Sequence, residues 1–99
     1  MNTTKLIKVD GISICSTHHA GKPMLRMKDA MSVLRVFQFT VDQIKQQLIE
    51  NAHWMNLENP FTKDYELFVT VAGLGVIAAR YGFSEKAREI AFQMAEAWE

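Results

Sequence analysis

Cysteine is nearly absent, net charge is absent, and long apolar runs are absent. The single cysteine, Cys15, rules out an internal disulfide framework, and a reducing cytoplasm is the expected compartment. Eleven basic residues balance eleven acidic ones, which argues against a generic polyanion binder. No apolar stretch approaches the roughly 20 residues of a membrane helix. The opening MNTTKLIKVDG lacks the apolar stretch and cleavage site of a secretory signal. Repeats, linkers and low-complexity tracts are also missing. What remains is a chain of 99 residues, 48% hydrophobic, read as one domain, 1–99, long enough to bury a single core.

The neutral total hides an uneven distribution. Residues 1–48 carry seven basic groups against three acidic ones; residues 49–99 carry four against eight. Such asymmetry fits a nucleic-acid-facing half, two halves that attract each other, or an ordinary salt-laced surface.

Leu6-Ile7-Lys8-Val9 and Ile12-Ser13-Ile14-Cys15 alternate around Asp10-Gly11, the strongest short signal for a hairpin. Ser16 to Pro23 reads as a loop, with a short third strand at Pro23 to Met27. Lys28 to Val36 reads as a helix with Met27, Ala30, Met31 and Leu34 on one face. Thr40 with Gln43 forms a capping box, and Val41, Ile44, Leu48, Ile49 and Ala52 predict a second helix reaching about His53. Asn59-Pro60 marks a turn, and Tyr65 to Val69 is a plausible strand. Thr70 caps a third helix to Tyr81, stopped by Gly82. Ser84 caps a fourth, whose stripe is Ala87, Ile90, Ala91, Met94 and Trp98. The expected fold is α+β: an amino-terminal hairpin, or a small three-stranded sheet, packed with about four helices.

No residue set amounts to a catalytic centre. His18-His19 lacks a carboxylate or thiol at metal spacing, and Cys15 reads as a small core residue. Gly73-x-Gly75 has neither a third glycine nor a Lys-Ser/Thr after it. Ala72, Gly75 and Ala79 read instead as a small-residue face that lets another helix approach closely. Glu85, Glu89 and Glu96 form a solvated face. The expectation is a non-enzyme with no cofactor and no metal.

Two helices joined by a short turn also match the outline of a helix-turn-helix over 28–53. Gln43, Lys45, Gln46 and Gln47 would then read bases or phosphates, with Arg26, Lys28 and Arg35 on the backbone.

Two longer strings carry a family resemblance. Ile7-Lys8-Val9-Asp10-Gly11-Ile12-Ser13-Ile14, then Gly21-Lys22-Pro23-Met24-Leu25-Arg26-Met27-Lys28-Asp29-Ala30-Met31, resembles the amino-terminal domain of Bro-type phage antirepressors and related prophage regulators. Val71 to Ile77 and Ser84-Glu85-Lys86-Ala87 through Trp98 are similar to the family's closing segments. The chain departs from it at Met24-Leu25, where an aromatic pair is usual, and at Arg80 to Ser84. The resemblance implies a small regulator in the cytoplasm of a bacterial host cell. It would act by binding a repressor protein so that the repressor releases its operator, or by binding DNA.

Methionine and aromatic residues dominate the middle of the chain, and methionine suits adaptable interfaces. Met24, Arg26, Met27, Arg35, Phe37 and Phe39 are therefore the expected partner-binding residues. An inhibitor of another host protein is equally compatible with them. Self-association through the last helix is expected too, since Phe92 lies off its core stripe and Trp98 ends it.

Overall fold

A computed structural model describes residues 4–59 and 62–98. The chain runs β1 (Thr4–Val9), β2 (Ile12–His19), β3 (Lys22–Arg26), α1 (Met27–Val33), α2 (Val41–Lys45), β4 (Trp54–Glu58), β5 (Tyr65–Thr70), α3 (Val71–Tyr81) and α4 (Ser84–Ala97). The class is α+β, with a five-stranded sheet in place of the smaller one expected. Its order is β1-β2-β3-β5-β4, antiparallel throughout.

Two tight turns organise the first three strands. Asp10-Gly11 and Ala20-Gly21 both take positive φ at both positions, the geometry that matches the right-handed twist of flanking strands. The second turn draws Ser16 to His19 into β2 and Lys22 onward into β3, so the loop expected at Ser16 to Pro23 is strand. Register follows from the turns: Leu6 faces Cys15 and Ile7 faces Ile14, while Thr17 faces Met24.

The helices cover one face. Ile7, Val9, Ile14, Leu25 and Val69 point there and share a core with Leu34 and Ile44, with Leu74 and Ile77 of α3, and with Ile90 and Met94 of α4. The opposite face carries a row crossing from Leu6 through Cys15, Arg26 and Phe68 to Met55. Cys15 is half-buried there, outside the core proper.

All but one of the expected helices changed at a boundary: the first helix is Met27–Val33 and ends before the expected Val36. The second helix stops at Lys45, not His53. Gln47 and Leu48 make three-residue-back bonds to Ile44 and Lys45, Ile49 N–H donates to His53 Nδ1 at 2.9 Å, and Asn51 turns left-handed. Pairing β4 with β5 over five residue pairs outweighs the helical spacing of that segment. Ser84 is the first residue of α4, and Phe83 stands at the cap without a side-chain bond. Of the Asn59-Pro60 turn, Pro60 lies outside the described residues. Thr70 and Gly82 bound α3 as expected. Thr70 Oγ1 accepts from Gly73 N–H at 3.1 Å and donates to Ala52 O at 2.8 Å, while Gly82 takes φ +79°.

Candidate partner-binding surface

The segment between α1 and α2 carries the most exposed aromatic residue of the described chain. Its shape starts at Arg35. Val36 N–H reaches back to Met31 O at 2.9 Å, and Arg35 N–H to Ser32 O at 3.2 Å. This paired pattern ends a helix through a left-handed residue, normally glycine. Here that residue is Arg35, at φ +57°, and a non-glycine residue is strained in this region. The turn anchors Val36 in the core at 2% exposure and projects Phe37 outward at 72%. Phe39 is partly exposed and lies 5.2 Å from the Tyr81 ring of α3. The Thr40 capping box then closes the segment: Gln43 N–H donates to Thr40 Oγ1 at 3.2 Å, and Thr40 N–H to Gln43 Oε1 at 2.8 Å.

A groove of about 310 Å³ runs between these side chains, with Met31, Val36, Phe37 and Phe39 as its apolar walls and Lys28 on its rim. Both ends of the segment are hydrogen-bonded, so the surface is held in shape before anything binds, which lowers the ordering cost of association.

The structure separates the six expected partner-binding residues. Arg35, Phe37 and Phe39 lie together on this exposed segment. Met24 and Met27 are 0% and 1% exposed and serve packing, out of a partner's reach. Arg26 is half-buried on the sheet face away from the helices. Its guanidinium bonds Glu66 at 2.8 Å and approaches Asp29 at 4.0 Å, and Asn59 Nδ2 donates to the other Glu66 oxygen at 2.6 Å. Asn59 first, then Arg26, hold the Glu66 carboxyl below its ordinary range. Burial pushes Asp29 up despite Arg26, and Glu66 raises Arg26 further. Beside this network a cavity of about 20 Å³ has room for one water.

The four residues expected to read DNA divide similarly. Gln43 is committed to the capping box, and Lys45 Nζ sits 5.2 Å above the Trp54 ring. Gln46 and Gln47 are exposed but lie past the end of α2, which has five residues. The joint between α1 and α2 spans residues 34–40, longer than a helix-turn-helix joint.

The other singled-out residues fall in plain surroundings. His18 packs 5.0 Å from the Trp98 ring. No group of three His, Cys, Asp or Glu gathers at metal distance among the described residues. Ala72, Gly75 and Ala79 are exposed, and Gly75 borders an open groove between α3 and α4 that Ala87 and Ala91 also line, so the small-residue face is not packed tight. The close contact is at Gly73, where a Cβ would stand 2.4 Å from His53 O. Phe92 is 62% exposed, as its place off the stripe implied. Trp98 turns inward: its Nε1–H donates to buried Ser16 Oγ at 2.9 Å, and Lys5 lies above its ring. None of the described helices is long and apolar enough to cross a membrane.

Sequence reasoning found Phe37 and Phe39 by composition but missed what presents them. A left-handed arginine has no sequence signature of its own; only the abrupt end of apolar spacing after Leu34 hints at it. Compared with known proteins, the chain matches no family model, no curated protein and no solved structure.

Proposed function

We propose that this chain is a regulatory protein that acts by binding another protein, a repressor, in the manner of an antirepressor. The observation that carries this reading is Phe37, 72% exposed on a segment fastened at both ends. A large apolar ring held in water gains by burial against a partner, and aromatic and arginine residues are the usual anchors of such contacts. Lys28 beside the apolar walls favours a partner segment that mixes apolar and acidic side chains.

The test is capture of partners from a lysogenic bacterial extract on the immobilised chain, with Phe37→Ser as control. The wild type should retain a repressor, and the variant should lose binding by at least about tenfold, the scale of one anchor residue. Arg35→Gly should raise thermal stability, by relieving the left-handed strain, while weakening capture. Added chain should release that repressor from its operator in a gel-shift assay. Retention of nucleic acid alone, lost with added salt, would overturn the proposal in favour of DNA binding.

A further inference from the structure

The sheet has two edges, and they are finished differently. At the β4 edge, Glu50 adds a parallel bridge to Trp54. At the β1 edge, among the described residues, β1 pairs only with β2. The usual protections of such an edge are a proline, a bulge or charges along the strand. β1 contains no proline, and its register with β2 runs from Thr4↔Thr17 to Val9↔Ile12 without a bulge. Of its two lysines, Lys5 is turned away: its Nζ donates to Ala97 O at 2.6 Å and sits over Trp98. Lys8 is the one charge left on the strand.

The hairpin fixes which backbone groups are free. A two-residue turn makes its flanking residues, Val9 and Ile12, a hydrogen-bonded pair. Ile7 and Lys5 follow at period two, so the backbone N–H and C=O of Thr4, Leu6 and Lys8 point away from β2. Beside them, the Leu6 side chain is 70% exposed on the face away from the helices.

We propose that this edge is a homodimer interface: β1 of a second copy adds antiparallel to β1, about a two-fold axis through Leu6. That axis keeps each side chain on its own face. It sets Leu6 opposite the second copy's Leu6, Thr4 opposite Lys8, and Lys5 opposite Ile7. The free backbone groups of Thr4, Leu6 and Lys8 all find partners. The two Lys8 charges stand roughly 14 Å apart along the strands, beyond the Debye length at physiological salt. The two Lys5 side chains, only two positions apart across the axis, are each drawn back to Ala97 O and Trp98 of their own chain. The contact is isologous and closed, which ends assembly at two chains. The outer face of α4 is a poorer self-interface, because Glu85, Glu89 and Glu96 line one side of Phe92 with only Arg88 on the other. An antiparallel two-fold contact there gathers carboxylates on one side.

The inference is independent of the Phe37 surface. Sedimentation velocity of the wild type at about 100 µM, the scale of a weak interface, should show a dimer. Leu6→Pro removes only the outward donor and should leave a folded monomer. Leu6→Lys, which sets two like charges face to face, should do the same if proline proves too disruptive. In a Cys15→Ser background, Leu6→Cys should form a disulfide dimer on mild oxidation, because facing Cα atoms lie about 5.5 Å apart. Lys8→Cys should not. A wild type that stays monomeric overturns the proposal. So does a dimer indifferent to both Leu6 variants, or one in which Lys8→Cys crosslinks as readily as Leu6→Cys.

Discussion

Two glycines two positions apart show how little a residue type says without its neighbours. At Gly73 an added Cβ would meet His53 O at 2.4 Å and Val69 Cγ2 at 2.6 Å; at Gly75 it would meet nothing within 4 Å. Gly73→Ala should therefore destabilise by at least about 2 kcal/mol, since backbone must move. Gly75→Ala should stabilise by about 0.5–1 kcal/mol through helix propensity. Chemical denaturation of the two variants checks both. The sequence shows a Gly-x-Gly pair; which member is pressed against a carbonyl depends on the 46–53 turn, whose course its helical spacing conceals. Glu66 is a second case. Its folded pKa is lowered, so its stabilisation is complete above the ordinary carboxylate range and is lost as pH falls through the lowered value. Glu66→Gln should cost about 1–3 kcal/mol at pH 7, and the gap to wild type should close in acid, below about pH 4. Asp29, raised by burial, has the opposite sign: the folded state holds its proton more tightly, so its contribution falls as pH rises through the raised value. Stability curves from pH 3 to 8 for the wild type, Glu66→Gln and Asp29→Asn separate the two.

At the scale of elements, legibility followed the range of the forces. The Asp10-Gly11 hairpin, the Thr40 box, the Thr70 cap and the Gly82 stop are decided by contacts a few residues apart, and all were readable. β4 was not. Trp54 to Glu58 lacks clean alternation, and it is a strand because β5 offers a ladder. The Ala20-Gly21 turn was missed for a local reason: alanine is a poor resident of φ +53°. Asn-Gly is the favoured pair for such a turn. Ala20→Asn should thus stabilise by a few tenths to about 1 kcal/mol, raising the melting temperature with no change in the far-ultraviolet spectrum. The candidate surface was half legible. Its aromatic residues stand out in composition, whereas Met24 and Met27, equally conspicuous, are fully buried: Met24 on a central strand between Thr17 and Thr70, Met27 in the core beneath the helices.

For the whole molecule, the uneven charge is not neutralised by the ion pairs that cross between the halves, because they run in opposite senses. Arg26 meets Glu66 across the two halves, and Lys86 meets Asp10 in the opposite sense. The two ends are also fastened, through Lys5 to Ala97 and Trp98 to Ser16, contacts separated by 92 and 82 residues. Such long closures form late in folding, because the loop entropy must be met first. Trp98→Phe removes the Ser16 bond and the largest ring of this clasp. It should speed unfolding more than it slows folding and raise hydrogen exchange in β1 and in the last turns of α4. Stopped-flow kinetics and exchange mapping measure the two effects.

Each tryptophan lies beneath a lysine, Trp54 under Lys45 and Trp98 under Lys5. One belongs to the strand at the far edge of the sheet, and the other packs under the opposite hairpin. The molecule therefore holds two indole lamps at opposite ends. With one changed to phenylalanine, the glow of the other reports on its own end: Trp98 on events at the β1 hairpin, Trp54 on the joint that leads out of α2.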